Sequence, residues 1–121
     1  MTHESVIEVN STHDAQVSFK VVRMSFGRRL DLARRVRELS QRQEFQLAGA
    51  DFKDKIEASI LASEIDKLYL EWGLVEVTGL WLDGAPATPA GLIAWGPEEI
   101  CQEALTAVKR ACGLSEEDRK N

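Results

Sequence analysis

Two charged series carry most of the chemistry available to this 121-residue chain. Arg28, Arg35 and Arg42 recur at intervals of seven, and so do Glu57, Glu64 and Glu71. A spacing of seven keeps side chains on roughly one face of a helix. Folding the chain back at Gly49–Ala50 sets Arg42 opposite Glu57, Arg35 opposite Glu64 and Arg28 opposite Glu71, because each pair of numbers sums to 99. The chemistry this predicts is ion pairing across an antiparallel helical hairpin. The same arginines, with Arg23, Arg29, Arg34 and Arg37, are also the residues that would meet phosphates. They spread around most of a helix, however, and no aromatic residues are interleaved to stack bases. A net charge of -5 also argues against a dedicated nucleic-acid binder.

Other reactive groups are sparse. Cys101 falls near the start of a C-terminal helix, where the helix dipole lowers a thiol pKa. It also falls on that helix's apolar stripe, with no histidine in the same region. Cys101 and Cys112 are eleven residues apart, about 16 Å along a helix. A disulfide needs Cα atoms within about 7 Å. Both therefore read as buried thiols of a reducing compartment. His3 and His13 have no Cys, His or carboxylate neighbours at a metal spacing. The stretch Ser25-Phe26-Gly27-Arg28-Arg29 lacks the spacing of a phosphate loop. No catalytic triad or pair of catalytic acids stands out. The sequence predicts a protein that is not an enzyme and uses no metal or cofactor.

The elements that must position these groups follow from pattern. A hydrophobic fraction of 44% and a charged fraction of 29% describe an ordinary globular chain. Its length suits one domain over residues 1–121, with residues 1–4 and 115–121 as flexible ends. No basic-then-apolar leader opens the chain. No apolar run approaches the roughly 20 residues of a membrane span. The expected location is cytoplasmic.

Residues 5–10 read as a strand, and 15–22 as a half-buried one with Val17, Phe19 and Val21 on one side. Ser11-Thr12-His13-Asp14 is the turn between them. Ser25 caps a helix over 26–48, and Asp51 with Asp54 opens a second that runs to Trp72. The first carries Leu32, Ala33, Val36, Leu39, Gln43 and Leu47 on one arc. The second carries Ile56, Ile60, Leu61, Ile65, Leu68, Tyr69 and Trp72. Residues 74–82 read as extended, with Gly79 as a bulge or bend and Asp83-Gly84 as a turn. Thr88-Pro89 opens a short helix to Trp95. A last helix places Ile100, Cys101, Ala104, Leu105, Val108 and Cys112 on one stripe and stops at Gly113, after which Ser115 to Asp118 fit a capping pattern. The fold class is α+β and mainly helical: an N-terminal β-hairpin, a long antiparallel helical hairpin, a short extended segment and a C-terminal helix. The extended segment is placed to add a third strand.

Charge segregates between the hairpin's halves. Lys20 to Arg42 holds eight basic and two acidic residues; Asp51 to Glu76 holds seven acidic and three basic. Opposite charges choose the partner and register, while exposed pairs contribute only about 0–1 kcal/mol each. Glu64 falls between Ile60 and Leu68, inside the apolar arc. Arg35 is its expected partner, because unpaired burial is costly. The alternative is a partly solvated Glu64 at a groove edge. Trp72, Trp81 and Trp95 cluster between residues 72 and 96. They either lock the hairpin onto the C-terminal part or form a partner-binding patch. Core packing is the favoured reading of the three; if a patch exists, Trp81 and Trp95 are the ones to carry it.

Residues 69–121 also resemble a known class. Tyr69-Leu70-Glu71-Trp72-Gly73-Leu74 leads to Val77-Thr78-Gly79-Leu80 and then Leu82-Asp83-Gly84-Ala85-Pro86-Ala87-Thr88-Pro89. Gly96-Pro97-Glu98, an amphipathic helix and a charged end from Ser115 follow. This arrangement resembles small proteins of tailed phages and prophages, specifically the tail assembly chaperones. The resemblance implies a non-catalytic protein that binds a tape-measure protein during tail assembly, keeps its apolar helical stretches soluble, and leaves the finished tail. Two other readings stand beside it: a nucleic-acid-associated regulator using the arginine helix, and a structural head or tail component.

Overall fold

Alternation over Val17, Phe19 and Val21 builds the centre of the molecule, where all three side chains are buried. The computed structural model describes residues 1–113. The expectations for residues 115–121, including the cap at Ser115, lie outside the described residues. Strands β1 (Val6–Asn10), β2 (Ser18–Val22) and β3 (Leu74–Thr78) form an antiparallel sheet in the order β1-β2-β3. Val9 pairs with Phe19, and Phe19 with Val77, so one face is apolar. On the other face Glu8, Lys20 and Glu76 stand abreast, with Lys20 Nζ 3.3 Å from Glu76.

Between β2 and β3 the chain runs out and back through two helices, α1 (Phe26–Leu47) and α2 (Phe52–Gly73), each of 22 residues. Their ends are set locally. The Ser25 hydroxyl accepts the Arg28 N–H at 3.2 Å, and the Asp54 carboxylate accepts the Asp51 N–H at 3.4 Å. Lys55 donates to the Leu47 carbonyl at 3.1 Å, placing a cation at the negative end of α1. The basal half of the hairpin joins the core through Leu32, Val36, Leu68, Tyr69, Leu70 and Trp72. Farther out, only Ala58 and Leu61 are buried, and Gln43 Nε2 reaches the Ala58 carbonyl at 3.4 Å. The distal half is therefore a two-helix arm standing clear of the core.

The arm corrects part of the predicted apolar arcs. Ile56 and Ile60 are each 46% exposed, and Ala33 and Leu47 are exposed on α1. Glu64 is exposed as well. No third layer covers the distal half, so sharing an arc with Leu61 does not bury these residues.

The predicted extended segment divides at Gly79. There φ is +80°, and a Cβ would lie 1.8 Å from the Gln16 carbonyl oxygen, so only glycine fits. Beyond it, β4 (Trp81–Leu82) pairs with β5 (Ala85–Pro86). The turn between them has Asp83 at φ 52° and Gly84 at φ 83°, the sign pattern of a type I′ turn. Thr88 caps α3 (Pro89–Trp95) by accepting the Gly91 N–H at 3.0 Å. Helix α4 (Glu98–Ala111) buries Ile100, Ala104, Leu105, Ala107 and Val108. Gly73 lets α2 close on α4, since a Cβ there would sit 2.3 Å from a Val108 methyl.

Candidate functional site

The three mirrored ion pairs do not form. Among the described residues the ion pairs are Lys20–Glu76, Asp31–Arg34 and Asp66–Lys109. Arg28, Arg35 and Arg42 are not paired with Glu71, Glu64 and Glu57. The competing partner is Trp72. Arg28 Nη2 donates to the Trp72 carbonyl at 2.8 Å, and its guanidinium lies 4.6 Å from the Trp72 ring centre. Arg35, two turns along α1, lies 5.6 Å from the same ring. The carbonyl belongs to the last turn of α2, so Arg28 also caps the negative end of that helix. A guanidinium held by a carbonyl and an aromatic face gains more than an exposed one beside a flexible glutamate. Arg42 and Glu57 line one groove between the helices without joining.

The tryptophans divide between the two readings, and the favoured one, core packing, fails for Trp81 and Trp95. Trp72 is half-buried between two arginines. Trp81 is 66% exposed and Trp95 is 68% exposed. They sit on β4 and at the end of α3. These elements meet at Gly91, where both the Leu82 and the Trp95 side chains approach the position a Cβ would take. Trp81 on the β4–β5 ribbon and Trp95 on α3 are thus exposed on neighbouring elements, and Leu82 and Leu92 anchor those elements to the core.

Glu103 is a structural residue that the sequence pattern did not single out. Its carboxylate accepts the Ser11 hydroxyl at 2.5 Å, the Thr12 N–H at 2.6 Å and the Thr12 hydroxyl at 2.7 Å. Ser11 Oγ in turn accepts the His13 and Asp14 N–H groups. Burial pushes the Glu103 carboxyl up. The hydrogen bonds from Ser11 and Thr12, with the nearby His13, outweigh that and hold it below the usual carboxylate range. The result is a clasp between the β1–β2 turn and α4. It adjoins a groove of about 900 Å³ between β1 and α4, with Ile7, Val9 and Ala107 among its apolar lining. The one available signal was the turn chemistry of Ser11 and Thr12; nothing in their neighbourhood names a residue so distant in sequence.

The remaining reactive groups are placed as follows. Cys101 is half-buried and Cys112 buried, both as free thiols. Burial pushes the Cys101 thiol up, and Glu98 adds to the effect. Burial also raises Cys112, against a smaller lowering by Arg29. At Cys101 the lowering expected from a helix N-terminus is overridden. Among the described residues no three His, Cys, Asp or Glu side chains converge as a metal site, and no helix is long and apolar enough to cross a membrane. In comparisons with known proteins the chain matches no family model, and no curated protein or solved structure matches it significantly.

Proposed function

We propose that this protein is a non-catalytic, cytoplasmic assembly factor of the tail assembly chaperone kind, binding an apolar helical segment of a tape-measure protein. The observation that carries the reading is the joint exposure of Trp81 and Trp95 on adjacent elements. Tryptophan is the side chain most enriched among residues that dominate binding energy at interfaces. A pair of indoles in water on a small domain is better explained by an occupant than by packing. An amphipathic helix is a suitable occupant, because its apolar face can dock against such a surface.

Contacts of Arg28 and Arg35 with Trp72 favour this reading over a nucleic-acid-binding arm. The other α1 arginines point in several directions around the helix, so they form no single phosphate-tracking stripe.

The test is co-expression with segments of a co-encoded tape-measure protein, followed by calorimetry on the purified pair. Trp81→Ser and Trp95→Ser should each weaken binding at least tenfold, and the protein should be absent from purified particles. Unchanged affinity in the double variant would remove the proposed surface. Stoichiometric presence in particles would make the protein a structural component instead.

A further inference from the structure

The distal half of the hairpin lacks the burial that two helices in water need. Beyond the core, Ala58 and Leu61 are its only buried side chains. Phe45 and Phe52 stand 77% and 78% exposed near the tip, with Ile56 and Ile60 behind them. Most helix stability in proteins comes from burying an apolar face rather than from intrinsic propensity. This arm leaves much of its apolar surface uncovered.

Charge points to what covers it. Helix α4 packs on one side of the hairpin, through Asp66–Lys109 and the close approach of Gly73 to Val108. Glu64 and Glu71 each precede one of these contacts by two residues, which is 200° around the helix. The glutamate series therefore faces away from α4. None of its three members has an ion-pair partner among the described residues. On α1 the arginine series borders the same side: Arg42 and Glu57 line one shallow groove, and Arg35 and Trp72 line another. One open face thus carries Arg35 and Arg42, with Asp31 and Glu38 beside them, on the α1 side, the glutamate series on the α2 side, and Leu39 and Phe45 in the groove between.

We infer that the occupant of this face is a second copy of the chain, forming a four-helix bundle about a twofold axis that runs along the arm. That axis lays α1 of one copy over α2 of the other. Within one copy, residues whose numbers sum to 99 stand at equal heights. The same rotation keeps those heights, so Arg35 meets Glu64 of the partner subunit and Arg42 meets Glu57 of the partner subunit. The basic-over-acidic register left unused within one chain is satisfied between two. A twofold axis perpendicular to the arm would instead set α1 over α1, basic against basic, which is repulsive. The available area is sufficient. Helices of 22 residues are about 33 Å long and a helix pair is about 20 Å across. The distal half of that face offers ~330 Å² per copy and its full length ~650 Å², so pairing along the whole hairpin buries ~1,300 Å² in total, at the lower end of stable interfaces. The site uses neither Trp81 nor Trp95, so it stands or falls independently of the proposed partner binding.

The experiment is a charge swap on the full chain, read by light scattering after size exclusion and by sedimentation across a concentration series. The wild type should run at twice the 13.5 kDa chain mass. The variant R35E/R42E, acidic on both helices, should be monomeric, and so should E57K/E64K, basic on both. Mixing the two variants should restore the dimer as a heterodimer. Circular dichroism of each variant alone shows that the monomer is folded. If a charge variant fails to fold, Ile60→Glu serves as the second disruption and should likewise halve the mass. A wild type monomeric at the highest concentration, or a dimer that persists in both charge variants, overturns the assignment. Homodimers that form only from wild type, with no mixed species on combining the variants, overturn the proposed register.

Discussion

Ser11 gives its hydroxyl hydrogen to the carboxylate of Glu103 across 92 positions of sequence. Both residues lie outside the charged hairpin. The bond makes a surface turn part of the tertiary structure, because the same carboxylate holds the backbone and side chain of Thr12.

A pH dependence with a definite sign follows from this clasp. The Glu103 carboxyl lies lower in the folded chain than its ordinary value of 4.5, so the folded state favours the ionised form. Its contribution is complete above that ordinary value and is lost as pH falls through the lower, folded one. Glu103→Gln should lower stability at pH 7 by about 1 kcal/mol. In urea melts the gap between wild type and variant should hold from pH 8 to pH 6 and close on acidification below about pH 4.5. A gap that widens with acid would contradict the assignment.

Arg28 joins the start of α1 to the end of α2 by one hydrogen bond and one ring contact. Arg28→Met keeps most of the aliphatic stem and removes the donor. It should cost about 1 kcal/mol. In a Trp81→Phe, Trp95→Phe background the remaining tryptophan emission should change as well, since Trp72 loses an adjacent cation. Lysine should recover only part of the effect, because an ammonium lacks the planar fork that both donates and stacks.

Gly79 separates β3 from the β4–β5 ribbon in a left-handed conformation, against the Gln16 carbonyl. Gly79→Ala combines about 1–2 kcal/mol of backbone strain with a clash against main chain. The loss should reach at least about 2 kcal/mol in chemical denaturation. Gly84, with open space around its Cβ position, should tolerate alanine better.

The three tryptophans should separate into two classes on denaturation. Trp81→Ser and Trp95→Ser should each change stability by no more than about 0.5 kcal/mol, as exposed positions do. Trp72→Ala should cost about 2 kcal/mol through lost packing and lost arginine contacts. Acrylamide should quench Trp81 and Trp95 strongly and Trp72 weakly.

Legibility in the sequence followed the range of the interactions. The caps at Ser25, Asp51 and Thr88 act within three residues, and the helices begin where those residues place them. Alternation in β2 named its buried face correctly, because one face of a sheet must be covered. Exposure of Trp81 and Trp95 was not readable, because a setting among glycines and turns suits a packed tryptophan as well as an exposed one. Periodicity identified the face and height of Arg28, Arg35 and Arg42 but not the direction of their long side chains, which Trp72 decides for Arg28 and Arg35. Glu64 looked buried because a helical wheel assumes that an arc has something to pack against. Glu103 was unreadable for a simpler reason: its partners are far away in sequence and carry no matching pattern.

The equal lengths of α1 and α2 have a consequence for how the chain assembles. β2 and β3 must find each other across the whole hairpin, and closing so long a loop is slow when unaided. Two helices of 22 residues return the chain to its starting height, so their zipping delivers Leu74 beside Val21. The hairpin thus acts as a ruler that sets sheet register. Removing one heptad from each helix should shorten the ruler and leave the sheet aligned, while removing one from α1 alone should bring β3 to the wrong rung.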